Sequence, residues 1–474
     1  MTATTESATG TPGPPDPAGE DHEKSFASGA RILSIGIAST GLFTFAYLAT
    51  ASHVLSGPSY SRVSLCWSIM FVILSVIYRP IEQLLSRTIA DRRARGLRGH
   101  SLRTPALIQA GFAVTFVIVA LALRPQIQQG MFDGSAALYW ILVVGVVAYA
   151  ASYFARGWLA GQQRFALYGG LVFLESTSRF IPALIVAVGI GSGQGLVALG
   201  MAIAPFVSLA VIPFAFTHVR VAGAPVGVPV ADAAMEGPAH AEIEEASADL
   251  SLRHGAGFAV AVVGVMLAEQ TLMNAGVLIV AAQSGAGSSL TTGLTGFVFN
   301  VMLIVRAPLQ LFQAIQTSIL PHLAGLEARE SAAEFHKAIR TTVRAIAAFG
   351  LAVAIGLLAI GPAVMTIVLG TKGFHYARGG LALVGLGMGL HLIAGTLNQA
   401  ALARGRARAA SAGWLVSAAL FVIFVVTGPS HGGGQVTRVE VGYFGATAVL
   451  SLLLWLVYRR GTAQSAPAAS AIRA

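Results

Sequence analysis

Twelve times along the chain, about 20 consecutive residues pass with almost no charge, which is the length an α-helix needs to cross roughly 30 Å of hydrocarbon. The stretches lie at 31–52, 60–80, 105–124, 136–156, 167–189, 195–217, 256–282, 289–312, 340–360, 379–401, 407–427 and 440–458. No water-soluble fold could hide them: 55% of the 474 residues are hydrophobic and 11% are charged, against about 25% charged in soluble domains. The predicted fold class is therefore an all-α integral membrane protein with twelve transmembrane helices.

The longest interruption, Arg220 to Arg253, contains Asp232, Glu236, Glu242, Glu244, Glu245 and Asp249 among Pro and Gly, and has no sustained apolar face. It divides the spans six and six, so each half is expected to pack as its own bundle. The expected organisation is a polar tail over 1–30, a six-helix bundle over 31–219, a linker over 220–255, a second six-helix bundle over 256–460 and a tail over 461–474.

The net charge of +10 could suggest nucleic acid, so the location of the charges decides. With the N-terminus inside, 23 of the 30 lysines and arginines fall in inner segments, five fall in outer ones, and Arg179 and Arg306 lie within spans. That bias places both termini in the cytoplasm. The basic residues are spread over every inner loop and do not gather with aromatics on one face, which argues against a nucleic-acid partner.

The halves also resemble each other. The second span ends Arg79-Pro80-Ile81-Glu82-Gln83-Leu84 and the eighth ends Arg306-Ala307-Pro308-Leu309-Gln310-Leu311; the fourth closes on Leu159 to Arg164 and the tenth on Leu402 to Arg408. Six spans per repeat is an even number, so the repeats would share one orientation about an axis along the membrane normal.

Direct catalysis is not expected. The three lysines complete no GxxxxGK[ST] phosphate loop. No HExxH pattern is present, and the single cysteine, Cys66, excludes a Cys-based metal site or a disulfide framework. No cofactor is implied.

What remains is the set of ionisable groups inside spans, each costing about 2.5–3.5 kcal/mol or more at a helix centre and so a default functional candidate. Glu175 and Arg179 stand four apart on one face of the fifth span, either as a mutually neutralising ion pair or as a substrate or ion site. Arg306 continues into Gln310, Gln313 and Thr317 along one helical side, with Pro308 freeing a carbonyl nearby. Arg306 either pairs with Glu269 of the seventh span or faces a polar path. Glu269, with Gln270 and Asn274, gives that span a polar face and a carboxylate able to carry a proton. Arg79, beside Pro80 near the inner boundary, either snorkels or reaches a cavity. The candidates are thus Arg306, Arg79, Arg179 and Gln310 for substrate, and Glu269 and Glu175 for ion coupling. His391 reads as a packed polar residue.

Three segments in order resemble a known family. Ser318 to Glu327 followed by Glu334-Phe335-His336-Lys337, Arg156 to Phe165 followed by Leu174-Glu175 and Arg179, and Leu397 to Gly405 are similar to motifs of polysaccharide flippases in the multidrug/oligosaccharidyl-lipid/polysaccharide exporter superfamily. The resemblance implies two bundles arranged as a V around a central cavity that opens alternately to the two sides. It places Glu175 and Arg179 on the family's helix-five positions and Gly161 and Arg164 on its inner-loop positions. The implied cargo is a polyprenyl diphosphate oligosaccharide moved across the cytoplasmic membrane for cell-surface polysaccharide. The implied partners are membrane lipids and glycosyltransferases or a polymerase of the same pathway. Twelve spans, where the lipid II branch commonly has fourteen, favour a polysaccharide unit over a cell-wall precursor. The rival readings are an ion-coupled multidrug exporter of the same superfamily and a transport-incompetent scaffold for envelope assembly.

Overall fold

The computed structural model describes residues 35–36, 39–94, 102–217, 238–283, 293–306, 308–309, 332–428 and 434–464. Everything regular among them is helical. In chain order the helices are α1 (39–54), α2 (Gly57–Ile73), α3 (Arg79–Ala94), α4 (Arg103–Ala122), α5 (Ala136–Gly161), α6 (Phe165–Ala187), α7 (Gln194–Ser208), α8 (Ile212–Thr217), α9 (Pro238–Gln283), α10 (Leu294–Arg306), α11 (Ala332–Leu369), α12 (Arg378–Ala403), α13 (Ala407–Thr427) and α14 (Gly434–Gln464). Among the described residues ten stretches are long and apolar enough to cross a membrane, and α1 and the short α10 occupy the expected first and eighth spans. The protein is a multi-pass membrane protein built as two six-helix halves.

Helices α2 and α3 make one span, Gly57–Ser86, joined by a π-turn over Leu74–Tyr78 in which the Arg79 N–H bonds back to Leu74 O. Pro80 has no N–H for the carbonyl of Val76 and its ring crowds that turn, so the backbone widens just before Arg79. In the first half α5 is central, flanked by α3 and α7, with α6 on α7. In the second, α12 lies between α11 and α14, and α13 bridges α14 and α9. Across the halves α2 packs against α9.

Outward surfaces are apolar, as lipid demands: Leu107 and Ile118 on α4 and Ile360 and Ile367 on α11 all stand exposed. Several helices run past the expected bounds, and two of these differences bear on the halves and the site. Helix α9 begins at Pro238, inside the stretch read as a linker, because Ala239-His240-Ala241-Glu242-Ile243-Glu244-Glu245-Ala246 is rich in helix formers; 220–237 lies outside the described residues. Helix α5 runs to Gly161, beyond the expected end at 156. The tails at 1–30 and 465–474 also lie outside them.

Candidate functional site: a charged cavity closed at one end

A cavity of about 620 Å³ lies between the halves. Helices α1, α2, α3, α5 and α6 supply one wall, and Glu269, Gln270 and Met273 of α9 with Leu303 and Arg306 of α10 supply the other. It runs from mid-bundle toward the end marked by Ser86, Ala160 and Phe165.

Five of the six sequence candidates line this one space: Arg79, Arg179, Arg306, Glu175 and Glu269. The sixth, Gln310, lies outside the described residues, as do Gln313 and Thr317. Arg79 and Arg306, matched in the two sequence halves, face the same cavity from opposite sides.

The surroundings of the arginines differ. Arg179 is 2% exposed. Its Nη2 donates to Glu175 Oε1 at 2.9 Å and to the Tyr149 hydroxyl at 2.6 Å, and its guanidinium lies 5.1 Å from the Trp67 ring centre. The ion pair expected from the four-residue spacing therefore forms. Arg306 has no carboxylate partner among the described residues: its Nη2 donates to Asn274 Oδ1 at 2.7 Å and Met273 O at 3.3 Å, and its guanidinium lies 4.8 Å from the Phe299 ring centre. Its Nε is buried without a hydrogen-bond partner among the described residues. Arg79 and Glu269 are half-buried on the cavity wall, and among the described residues neither side chain takes part in a hydrogen bond or close ion pair.

Sequence reasoning missed two charged groups. Arg156 counts as an inner-loop residue by charge bias, yet the extra length of α5 carries it into the cavity. There its Nη2 pairs with Glu175 Oε2 and its guanidinium packs 4.6 Å from the Tyr153 ring centre. Glu82, noticed only as part of a repeat, lines the cavity and accepts a 2.7 Å hydrogen bond from Tyr168. Gly157 permits this approach of α3 and α5, since a Cβ there would stand 2.8 Å from Glu82 O. The only local sign of Arg156 was its spacing from Tyr153 on one helical face.

The opposite end is shut. Asn300 of α10, fully buried, accepts from the Tyr60 hydroxyl at 2.6 Å and donates to Ser52 Oγ, Leu369 O and the Tyr376 hydroxyl at 3.3 Å each. The Gly296 N–H donates to Ser61 Oγ at 2.9 Å, and Ser52 Oγ donates to Leu369 O. Lys372, in the loop between α11 and α12, donates to Leu55 O at 2.9 Å and to Ser52 O at the end of α1, with its ammonium 5.1 Å from the Tyr60 ring centre. A cation there complements the negative end of the α1 dipole. Burial nevertheless pushes the Lys372 amine down to about 8. At Gly293, φ is +85° and a Cβ would sit 3.1 Å from Gly57 Cα, so only glycine closes that gap without strain.

No protein-family model and no curated protein matches the sequence. Solved structures do match in three dimensions. An inward-facing multidrug resistance MATE family transporter of the MOP superfamily superposes with a TM-score of 0.62 at 15% identity, over 92% of this chain and 99% of that one. The chain has the MATE transporter fold. A mutant of the Vibrio cholerae MATE transporter VcmN gives 0.59 at 14% identity, over 95% and 99% of the two chains. The eukaryotic MATE transporter AtDTX14 gives 0.58 at 12%, over 94% and 98%. The likeness spans both six-helix halves.

Proposed function

We propose that the protein is a flippase that moves a polyprenyl diphosphate-linked oligosaccharide across the cytoplasmic membrane by alternating access, for cell-surface polysaccharide synthesis. The observation that carries this reading is that four guanidinium groups, Arg79, Arg156, Arg179 and Arg306, line one cavity inside the membrane against three carboxylates, Glu82, Glu175 and Glu269. Intramembrane cations are retained where they serve a polar cargo, and a diphosphate is suited to guanidinium donors while its tail stays in lipid.

Placing both termini in the cytoplasm by the charge bias makes the seal the outer end and the cavity inward-accessible, as cytoplasmic loading requires. In this reading the halves 31–219 and 256–460 rock about the linker 220–255. Arg306, Arg79, Arg179 and Gln310 hold the diphosphate, and Glu269 or Glu175 couples an ion. Glycosyltransferases or a polymerase of the pathway supply and consume the cargo. Each charge carried through the membrane field is worth about 2.3 kcal/mol per 100 mV.

A second reading, ion-coupled export of cationic amphiphiles, is favoured by the aromatic lining of Phe45, Trp67, Phe71, Tyr153 and Tyr168 and by the multidrug resistance transporter among the fold relatives. It calls for a net acidic chamber, and the excess of guanidinium over carboxylate argues against it. A scaffold without transport predicts that the cavity charges tolerate replacement. The deciding experiment is leaflet translocation of labelled lipid-linked saccharide in vesicles. Arg306→Ala should reduce flux at least tenfold, and undiminished flux would remove that arginine from the mechanism.

A further inference from the structure

Each oxygen of the Glu175 carboxylate is taken by a different guanidinium: Oε1 by Arg179, Oε2 by Arg156 with Ser152 Oγ at 3.1 Å. An internal ion pair needs one arginine. Two around one carboxylate crowd positive charge into a region where charge is costly; Glu82, the nearby acid on α3, offsets part of it while accepting a hydrogen bond from Tyr168. Donors are also left over, since Arg156 Nε and Arg179 Nε are buried without hydrogen-bond partners. The rings of Tyr153, Trp67 and Phe71 back the two guanidinium groups. Both arginines and Glu175 border the cavity.

From this arrangement we infer that Arg156, Arg179 and Ser152 form an oxyanion site whose resident occupant is the Glu175 carboxylate, and that a phosphate group of the cargo displaces it. The inference rests on the flippase reading and adds Arg156 as a binding residue and Glu175 as an internal competitor. A phosphate presents the same pair of oxygens as a carboxylate plus a further one and more charge, so it can engage the unused Nε donors. Exchange keeps both guanidinium groups partnered, so neither is stranded, and the charge that moves is the Glu175 carboxylate, which borders the cavity. The released carboxylate gives up Ser152 and has the Ser208 hydroxyl, 3.5 Å from Ser152 Oγ, within its local reach. Selectivity follows: a cargo without a phosphate cannot outcompete Glu175.

The test is equilibrium binding to the full-length protein in lipid nanodiscs, read by fluorescence of Trp67, which packs on Arg179. Farnesyl diphosphate serves as a lipid-linked probe, inorganic pyrophosphate as a free one and tetraphenylphosphonium as a cationic amphiphile. Glu175→Gln should tighten farnesyl diphosphate binding about tenfold and Arg156→Gln should weaken it about tenfold. Glu175→Asp, too short to bridge both arginines, should also tighten it and stands in if Glu175→Gln does not fold. Tightening for pyrophosphate as well means the site reads the diphosphate alone; tightening for farnesyl diphosphate only means the tail is needed, and both support the site. Binding by wild type that is unchanged or weakened in folded Glu175 variants overturns the displacement while leaving the flippase reading intact. Binding of tetraphenylphosphonium with no diphosphate binding in any variant overturns both.

Discussion

At the sealed end the halves are joined by hydroxyls, one amide and backbone carbonyls around a single lysine, whereas the cavity toward the other end holds four arginines and three glutamates. The seal is made of many mostly neutral hydrogen bonds, each contributing about 0.5–1.5 kcal/mol. Such an interface parts without stranding a buried charge. The cavity concentrates charges whose stranding costs several kcal/mol, which suits a place that must grip an ion and keep its shape. Helix α10 belongs to both regions: Asn300 organises the seal, and Arg306, six residues on and so about 9 Å along the axis, lines the cavity. A ligand that pulls on Arg306 therefore pulls on the element that holds the sealed end shut.

Three measurements press on this contrast. The largest effect belongs to Arg179→Met, which leaves Glu175 with one arginine and Tyr149 without its donor. It should cost about 3–5 kcal/mol, seen as a marked fall in the thermal unfolding midpoint in detergent. Arg306→Met, whose arginine has no carboxylate partner among the described residues, should unfold near the wild-type temperature. Equal losses would erase the distinction between an arginine paired with a carboxylate and one held by neutral groups.

An intermediate effect is expected for Asn300→Ala. Stranding the Tyr60 hydroxyl and removing the bonds to Ser52 and Leu369 should weaken closure by about 1–3 kcal/mol. Pulsed electron paramagnetic resonance between labels at His53→Cys and His375→Cys, two exposed residues on opposite halves, in a Cys66→Ala background, should then show a longer distance population. A distribution identical to that of the labelled parent would mean that Asn300 does not hold the seal.

The smallest effect is that of pH. In the sealed form burial holds the Lys372 amine at about 8, below the ordinary lysine value of about 10.4 that it regains in solvent on opening. The sealed form thus binds the proton less tightly. The equilibrium should be flat below pH 8 and shift toward the sealed form as pH rises from about 8 to 10, by a few-fold per unit because the amine is only half-buried. The same label pair reads it, and Lys372→Met should abolish the dependence; a shift toward the open form with rising pH would reverse the assigned role of the amine.

The spans, their pairing into halves, and the membrane cost that singles out Arg179, Arg306, Glu175 and Glu269 were all legible in the linear chain, because hydrophobic length and helical spacing are local properties. Arg156 and Glu82 were not, because each lies near a helix end where charge-bias rules expect loop residues, and only the approach of α5 to α3 and α6 turns them inward. The seal was equally hidden: Ser52, Tyr60, Asn300 and Lys372 are ordinary residues up to 320 positions apart. The chain by itself determined that this protein crosses the membrane twelve times and keeps charge within its spans, since every residue in lipid answers to the same solvent. Tertiary packing alone decided which charges share one chamber and which end of it is shut, since both depend on distances between helices that no local pattern encodes.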